Sequence, residues 1–349
     1  MTRLGIIGLS GSGRSTIFAA LTGARGEEGE KRYFRSDLRI STVTVRDERI
    51  DYLVEIFKPK KTVYAKVEYL LPPDVSAGSS SKSDGGLWNQ VRVCDALLHV
   101  VRNFRSPDNS SPTPEKDFWQ LEEEMILSDF YVCEKRLERI EFDRKRGKQA
   151  EGSEASLIKS CLESLENDLP LRAVPHLASN PALRGFTFLS AKPLLVIVNN
   201  EDDDEALPEW ANKPQGVDLT VLRGRLEMDI ASMSQSEAKE FLDLYHIRES
   251  ALDRIIKSSY RLLDRISFFT VGSDEVKAWP VTSGTTALDA AGTIHSDIKK
   301  GFICAEVISF EDFKSFGSFQ EAKKAGAVRL EGKEYMVQDG DIISFRFNI

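Results

Sequence analysis

A glycine-rich turn near the amino terminus constrains the fold more than any other feature of this sequence. The apolar run from Arg3 to Ile7 has the length of a β-strand, and Ile17 to Leu21 is typical of the first turns of a helix. Between them lies the segment from Gly8 to Thr16, with glycines at positions 8, 11 and 13. A strand, a glycine-rich turn and a helix in immediate succession indicate the start of an α/β unit.

The same turn matches a phosphate-loop pattern with one departure. Gly8 to Ser15 follow Gly-x-x-x-x-Gly-Lys-Ser/Thr, except that Arg14 stands in place of the lysine. Glycines let the backbone curl so that successive N–H groups face inward, and the helix N-terminus adds partial positive charge. The residues predicted to bind a nucleotide here are Gly8, Ser10, Gly11, Ser12, Gly13, Arg14, Ser15 and Thr16. Ser15 is also the predicted ligand of a Mg²⁺ cofactor.

Two questions about this loop stay open at the level of sequence. The turn could merely connect a strand to a helix, without binding phosphate. Arginine keeps the positive charge of the missing lysine, but its planar guanidinium cannot place one point charge between two phosphates. Binding and efficient hydrolysis of a nucleotide are therefore separate expectations, and the second is the weaker of the two.

Apolar runs and helical spacing predict the rest of the architecture. Four further runs of strand length should join Arg3 to Ile7 in one mainly parallel sheet: Val67 to Leu71, Leu97 to Val101, Leu194 to Val198 and Leu219 to Leu222. Two series of apolar residues step by three and four: Ile126, Phe130, Cys133, Leu137 and Ile140, then Ile158, Leu162, Leu165 and Leu169. Because a polar, glycine-bearing stretch separates the two series, we expect an antiparallel helical hairpin.

These patterns give a fold class and a division into domains. We expect an α/β protein in which a phosphate-loop sheet domain covers residues 1–104 and 188–278, with the hairpin inserted at 105–187. A last domain of short strands and turns should cover residues 279–349.

Composition limits the class of protein and its compartment. The chain has 349 residues with 41% hydrophobic residues and a net charge of −8, which excludes a uniformly basic nucleic-acid binder but not a local basic patch. No apolar run approaches the roughly 20 residues of a membrane helix. The four cysteines are scattered without a Cys-x-x-Cys pair, as expected of reduced thiols in the cytoplasm.

Further motifs carry a resemblance to a known family. They include the loop from Gly8 to Thr16, Lys58-Pro59-Lys60-Lys61-Thr62-Val63, Asp95 to Arg102, Lys192-Pro193, Leu252 to Ile256, Ser267 to Thr270, Val276 to Trp279, Ala290 to Asp297, Lys300 to Ile303, Gly332 to Tyr335 and Asp339-Gly340-Asp341. On these residues, nearly the whole chain resembles the YchF branch of the Obg-like P-loop NTPases. Its last part resembles the β-grasp-like TGS module that closes YchF proteins. The resemblance implies an ATP-preferring, ribosome-associated NTPase.

The chain departs from that family at the positions tied to metal binding and hydrolysis. The family's Asp-x-x-Gly falls on Leu71-Pro72-Pro73-Asp74, where leucine cannot bind a metal and proline offers no N–H group. Glu68 and Asp74 flank the missing aspartate. The threonine of the first switch falls near Ser36, and the family's histidine after the fourth strand has no counterpart among Arg105 to Glu115. His99 lies on an apolar strand and is expected to be a satisfied core residue.

The segment after the strand that follows Lys192-Pro193 is the candidate for recognition of the nucleotide base. The family reads adenine with Asn-x-x-Glu, and here Asn199 and Asp202 occupy those positions. A carboxylate accepts two protons from guanine but meets a lone pair of adenine, so Asp202 favours GTP over ATP. In the alternative interpretation, Asn199 caps the strand and Asp202 belongs to a solvated acidic loop.

The predicted hairpin tip is the candidate surface for a partner. Arg144, Lys145, Arg146 and Lys148 cluster around Gly147 on an otherwise acidic protein. Such a tip could contact RNA phosphate or the ribosome, together with the TGS module, or it could be an ordinary charged helix end. The sequence thus supports two functions: a GTP- or ATP-binding protein acting at the ribosome with weak or lost hydrolysis, and a degenerate NTPase that serves as a nucleotide-independent scaffold.

Overall fold

The computed structural model describes residues 2–23, 38–73, 84–146, 152–244 and 250–348. The strands are β1 (Arg3–Ile7), β2 (Arg39–Thr44), β3 (Lys61–Val63), β4 (Lys66–Leu71), β5 (Ala96–Asn103), β6 (Leu194–Asn200), β7 (Asp218–Leu222), β8 (Arg265–Val271), β9 (Glu275–Thr282), β10 (Phe302–Ser309), β11 (Arg329–Glu331) and β12 (Asp341–Phe347). The first helices are α1 (Arg14–Thr22), α2 (Glu48–Phe57), α3 (Asp84–Arg92), α4 (Pro114–Lys145), α5 (Gly152–Glu166), α6 (Pro175–Ala178), α7 (Gly224–Ser232), α8 (Gln235–Leu244) and α9 (Ala251–Leu262). They are followed by α10 (Ala287–Ile294), α11 (Ser296–Lys300), α12 (Phe310–Phe316) and α13 (Phe319–Lys324).

The first sheet confirms the predicted α/β core. Its strand order is β2-β4-β1-β5-β6-β7, and the pairs from β4 to β7 are parallel. All five predicted strands lie in this sheet. β5 and β6 are buried over most of their length, which explains why both are nearly continuous apolar runs. Because the strands are parallel, their carboxyl ends share one edge, and the turn after β1 lies at that edge.

The inserted segment forms the predicted pair of helices. α4 and α5 pack through a shared core that contains Ile126, Cys133, Ile158 and Leu165. Two buried ion pairs involve α4: Arg92 Nη1 lies 2.9 Å from Asp129 Oδ1, and Arg172 pairs with Glu122. Leu169 does not continue the helical series, because α5 ends at Glu166 and Leu169 is 41% exposed.

The second sheet contains more of the chain than the sequence predicted. Its order is β11-β10-β12-β8-β9-β3, so the strand β3 from the first fifth of the chain pairs in parallel with β9. Trp279 lies inside β9 and pairs with Phe268 of β8, so the predicted boundary at residue 279 falls within a strand. The chain divides into one compact unit of Met1–Val43 and Glu68–Ile255 and another of Thr44–Val67 and Ile256–Ile349.

Aromatic packing explains why α2 belongs to the second unit. Phe57 stacks on Phe313 with 5.6 Å between ring centroids, and Tyr52 meets Phe310 edge-on at 5.5 Å. Arg49 bridges Asp47 and Asp339, with Nη1 2.8 Å from the Asp339 carboxylate. The Arg49–Asp339 contact joins residues 290 positions apart, and the two aromatic contacts are also distant in the chain, so local sequence patterns do not reveal them. In the described part of the chain, no helix combines the length and apolar character needed to span a bilayer.

Candidate nucleotide-binding site

The glycine-rich turn forms a curled loop between β1 and α1. The Ser12 N–H donates to Leu9 O at 3.1 Å, and the Ile17 N–H donates to Gly13 O at 2.9 Å, which starts the helix. Gly13 has a φ of 95°, a left-handed conformation that glycine adopts without steric cost. A Cβ atom at Gly13 would lie 2.2 Å from Asn199 Nδ2, so the close approach of another segment also requires glycine here.

Asn199 is the residue that ties the loop to the rest of the edge. Its side chain is only 4% exposed, and Nδ2 donates to Ser12 O at 3.1 Å. Its Oδ1 atom accepts from the Gly224 N–H at 2.9 Å, at the start of α7. Both ends of the amide are therefore bound to backbone, and Asn199 holds three separate segments in one place. This role is more specific than the strand cap in the alternative interpretation.

Asp202 also contacts the start of α7. Its Oδ1 atom accepts from the Leu226 N–H at 3.2 Å, while the side chain stays exposed. A carboxylate near the first turn of a helix is favoured by the helix dipole. The adjacent cation Arg223 pairs with Glu205 at 2.8 Å. Asn199 and Asp202 thus lie on the same side of the site, as their spacing predicts, and base recognition by Asp202 stays a prediction.

The polar side chains of the loop differ in their surroundings. Ser10 and Ser15 are exposed and Thr16 is half-buried. Ser12 is 2% exposed, and its Oγ atom has no hydrogen-bond partner among the described residues. Arg14 is 6% exposed, and a Cβ atom added at Gly8 would lie 3.3 Å from its Cγ atom. A buried hydroxyl without a partner inside a curled loop fits a phosphate-bearing ligand, which would supply the missing hydrogen bond.

The end of β4 forms the other side of the site, and it is apolar. Leu71 is 2% exposed, and Pro72 is buried next to it. Glu68 is not directed to the loop, because it lies within β4 and pairs with Arg3, the first residue of β1. Among the residues that the structure describes, no group of three His, Cys, Asp or Glu side chains could hold a metal ion. Asp74 and Ser36, the other candidates on this side, lie outside the described residues.

Ser15, the predicted metal ligand, is bound to an arginine. Arg39, the first residue of β2, donates from Nη2 to Ser15 Oγ at 2.8 Å, and its guanidinium carbon lies 5.3 Å from the centre of the Phe18 ring. A cation already hydrogen-bonded to this oxygen repels a divalent ion bound to the same atom. With Leu71 in place of a carboxylate, the described residues around Ser15 do not fit Mg²⁺. No local pattern in the sequence marked Arg39 as part of this site.

His99 lies within the sheet that carries the loop. It pairs with Ile7 of β1 and stacks on Phe118 with 5.3 Å between ring centroids. It is a core residue as predicted, but not a satisfied one, because neither ring nitrogen has a hydrogen-bond partner among the described residues. Burial lowers the pKa of His99 to about 3, so the imidazole is neutral in the folded protein.

The predicted basic tip is described in part. Arg144 and Lys145 end α4, and the Arg146 guanidinium lies 4.4 Å from the centre of the Phe142 ring. All three cations are exposed. Gly147 and Lys148, the other residues of the predicted tip, lie outside the described residues.

Comparison with known proteins identifies the family. The chain is 37% identical over 364 aligned positions to the "Ribosome-binding ATPase YchF" of Escherichia coli O157:H7, with 99% of each chain covered. The protein of the same name from Bacillus subtilis is 36% identical with the same coverage. The chain belongs to the YchF family.

Two further comparisons agree with this membership. The solved structure of the Schizosaccharomyces pombe YchF GTPase matches with a TM-score of 0.81 and 26% identity, covering 99% of this chain and 97% of that one. A family model named YchF-GTPase_C, described as "Protein of unknown function (DUF933)", matches residues 265–348. That match begins at β8, where the carboxyl-terminal part of the second sheet also begins.

Proposed function

We propose that this YchF protein binds GTP or ATP at the loop from Gly8 to Thr16 and acts at the ribosome in the cytoplasm. The main observation in favour of nucleotide binding is the position of the Asn199 amide, which joins Ser12 of the loop to Gly224 of α7. A connecting turn needs no such tie. The buried Ser12 hydroxyl, which has no hydrogen-bond partner within the described ranges, supports the same function.

We also propose that hydrolysis is weak or lost. Phosphoryl transfer depends on positioning and on charges that neutralise the transition state. The β4 side of the site offers a buried leucine and a proline where the family places an aspartate that holds Mg²⁺. Binding needs only the loop and its support, whereas hydrolysis needs both sides of the site.

The ribosomal half of the proposal rests on relatives and on charge. Two relatives that match almost the whole chain are named ribosome-binding ATPases. Arg144, Lys145 and Arg146 are exposed at the end of α4, on a protein whose net charge is −8. Contact between such a basic tip and RNA phosphate weakens steeply with salt. The segment that resembles a TGS module would add a second contact.

A nucleotide-independent scaffold is the second candidate. The burial of Arg14 and of Leu71 favours it, because neither side chain is presented to solvent as a phosphate or metal ligand usually is. This candidate predicts that Arg14→Ala leaves ribosome binding unchanged and that no nucleotide binds. Loss of ribosome binding in a folded Arg14→Ala protein would contradict it.

Calorimetric titration of the full chain with GTP and with ATP tests the nucleotide half. We expect both to bind and GTP to bind at least as tightly as ATP. Asp202→Ala should weaken GTP binding about tenfold, because a charged hydrogen-bond acceptor is lost, and it should leave the affinity for ATP unchanged. Asp203→Ala, which removes a neighbouring exposed carboxylate, is the matched control. A clear preference for ATP would contradict the role of Asp202 in base recognition. The absence of any binding would contradict the nucleotide-binding proposal and favour the scaffold function.

Two further measurements complete the test. Steady-state phosphate release should be slow or equal to that of a protein-free sample, and efficient multiple-turnover release would contradict weak or lost hydrolysis. Cosedimentation with ribosomes at low and high salt should show salt-sensitive binding. Replacing Arg144, Lys145 and Arg146 together with alanine should reduce it. Unchanged cosedimentation in that variant would exclude the hairpin tip as the contact.

A further inference from the structure

The side of the nucleotide site where a metal ion would be expected is occupied by a protein cation. Arg39 Nη2 is 2.8 Å from Ser15 Oγ, the only hydroxyl that the loop pattern offers to a metal. Arg39 is half-buried at the start of β2, and its guanidinium lies over Phe18 on the same helix face as Ser15. Two independent contacts therefore position this charge beside the loop.

The described part of the neighbouring strand β4 offers no ligand for a metal ion beside Ser15. Leu71 is the last residue of β4 and is apolar and buried, and the Glu68 carboxylate is paired with Arg3, the first residue of β1. Hard cations such as Mg²⁺ need several oxygen ligands in a strict geometry. A guanidinium needs none, because it is itself the positive charge and its flat fork matches two phosphate oxygens.

We propose that Arg39 takes the place of Mg²⁺, so that this site binds its nucleotide without a metal ion. This inference rests on the proposed nucleotide-binding function and names the charge that completes it. The Arg39 fork would contact the terminal phosphates from the side of Ser15 and would neutralise part of their charge. Backbone N–H groups of the loop and the Ser12 hydroxyl would bind the remaining oxygens.

The arrangement agrees with the proposed weak hydrolysis. A guanidinium donates hydrogen bonds to phosphate oxygens, but it does not polarise a phosphoryl oxygen as directly as a bound metal does.

Calorimetry of the full chain with excess EDTA or excess MgCl₂ tests the inference. For the unmodified protein, we expect the Kd for GTP to agree within about twofold between the two conditions, since no metal takes part. Tightening of tenfold or more on addition of MgCl₂ would overturn the metal-free site but not nucleotide binding. The absence of binding in both conditions would overturn the proposed function itself, and the inference with it.

Variants of Arg39 provide the second arm. In EDTA, Arg39→Ala should raise the Kd for GTP about tenfold or more. Arg39→Lys keeps the charge but not the fork, so its Kd should lie between those of Arg39→Ala and the unmodified protein. Arg184→Ala, which removes an exposed arginine from the helical turn Pro181–Phe186 of the insertion, should leave the Kd unchanged. Equal affinity of Arg39→Ala and the unmodified protein in EDTA would overturn the role of Arg39.

Discussion

The two sides of the candidate site are built in opposite ways. On the side of β6 and α7, Asn199 and Asp202 bind three backbone N–H or C=O groups, and Asn199 joins the glycine-rich loop to α7. On the side of β4, Leu71 and Pro72 offer no polar side-chain atom, and the nearest described charge beside Ser15 is Arg39. The comparison teaches that the residues proposed to support nucleotide binding and the position tied to hydrolysis lie on different elements, so that one side can change without the other.

The largest expected effect comes from introducing the missing carboxylate. Leu71→Asp should lower the free energy of unfolding by about 3–5 kcal/mol, because it places an uncompensated charge in a buried position. Leu71→Met, which conserves volume, should cost less than about 1.5 kcal/mol. Urea unfolding measures both. A cost under about 1 kcal/mol, together with a gain of Mg²⁺-dependent affinity for GTP in Leu71→Asp, would show that the β4 side can bind a metal ion once a carboxylate is present. That result would contradict the contrast between the two sides.

The next effect concerns the contact between the loop and Asn199. Gly13→Ala should cost about 3 kcal/mol, because a left-handed residue with a side chain is strained and its Cβ atom would displace the Asn199 amide. Gly11 has a φ of 79° but no atom within 4 Å of an added Cβ, so Gly11→Ala should cost only about 1–2 kcal/mol. The difference between the two unfolding free energies isolates the Asn199 contact. Equal losses would show that the amide yields without cost.

The smallest effect is a pH dependence on the strand next to β1. His99 has a folded pKa of about 3, well below the value of about 6.5 in the unfolded chain, so the unfolded state binds the extra proton as the pH falls. Stability is therefore lost below pH 6.5, by about 2 kcal/mol at pH 5. His99→Phe should remove this part of the slope in urea unfolding at pH 7 and pH 5, and exposed His176→Phe should not. An unchanged slope in His99→Phe would show that the imidazole titrates freely.

Much of the sheet domain was predictable because its signals are local. The five strands, the turn and the two helices of the insertion were all marked by runs or periods of a few residues. The prediction that Leu169 belongs to the second helix of the hairpin was wrong for the same reason. Its spacing continued the period of α5, but the helix ends three residues earlier. The assignment of Ser15 as a metal ligand stays a prediction from a local motif, and no motif shows that Arg39 donates a hydrogen bond to the same oxygen.

The sequence by itself determined the glycine-rich loop between β1 and α1, the parallel sheet, the hairpin and the absence of a metal-binding side chain at position 71. Only the tertiary structure decided which distant residues complete these elements: Asn199 and Gly224 against Gly13, Arg39 against Ser15, and β3 with α2 in the second sheet. The physical reason is that backbone conformation and strand periodicity depend on neighbours in the chain. Hydrogen-bond satisfaction, desolvation and charge depend on neighbours in space.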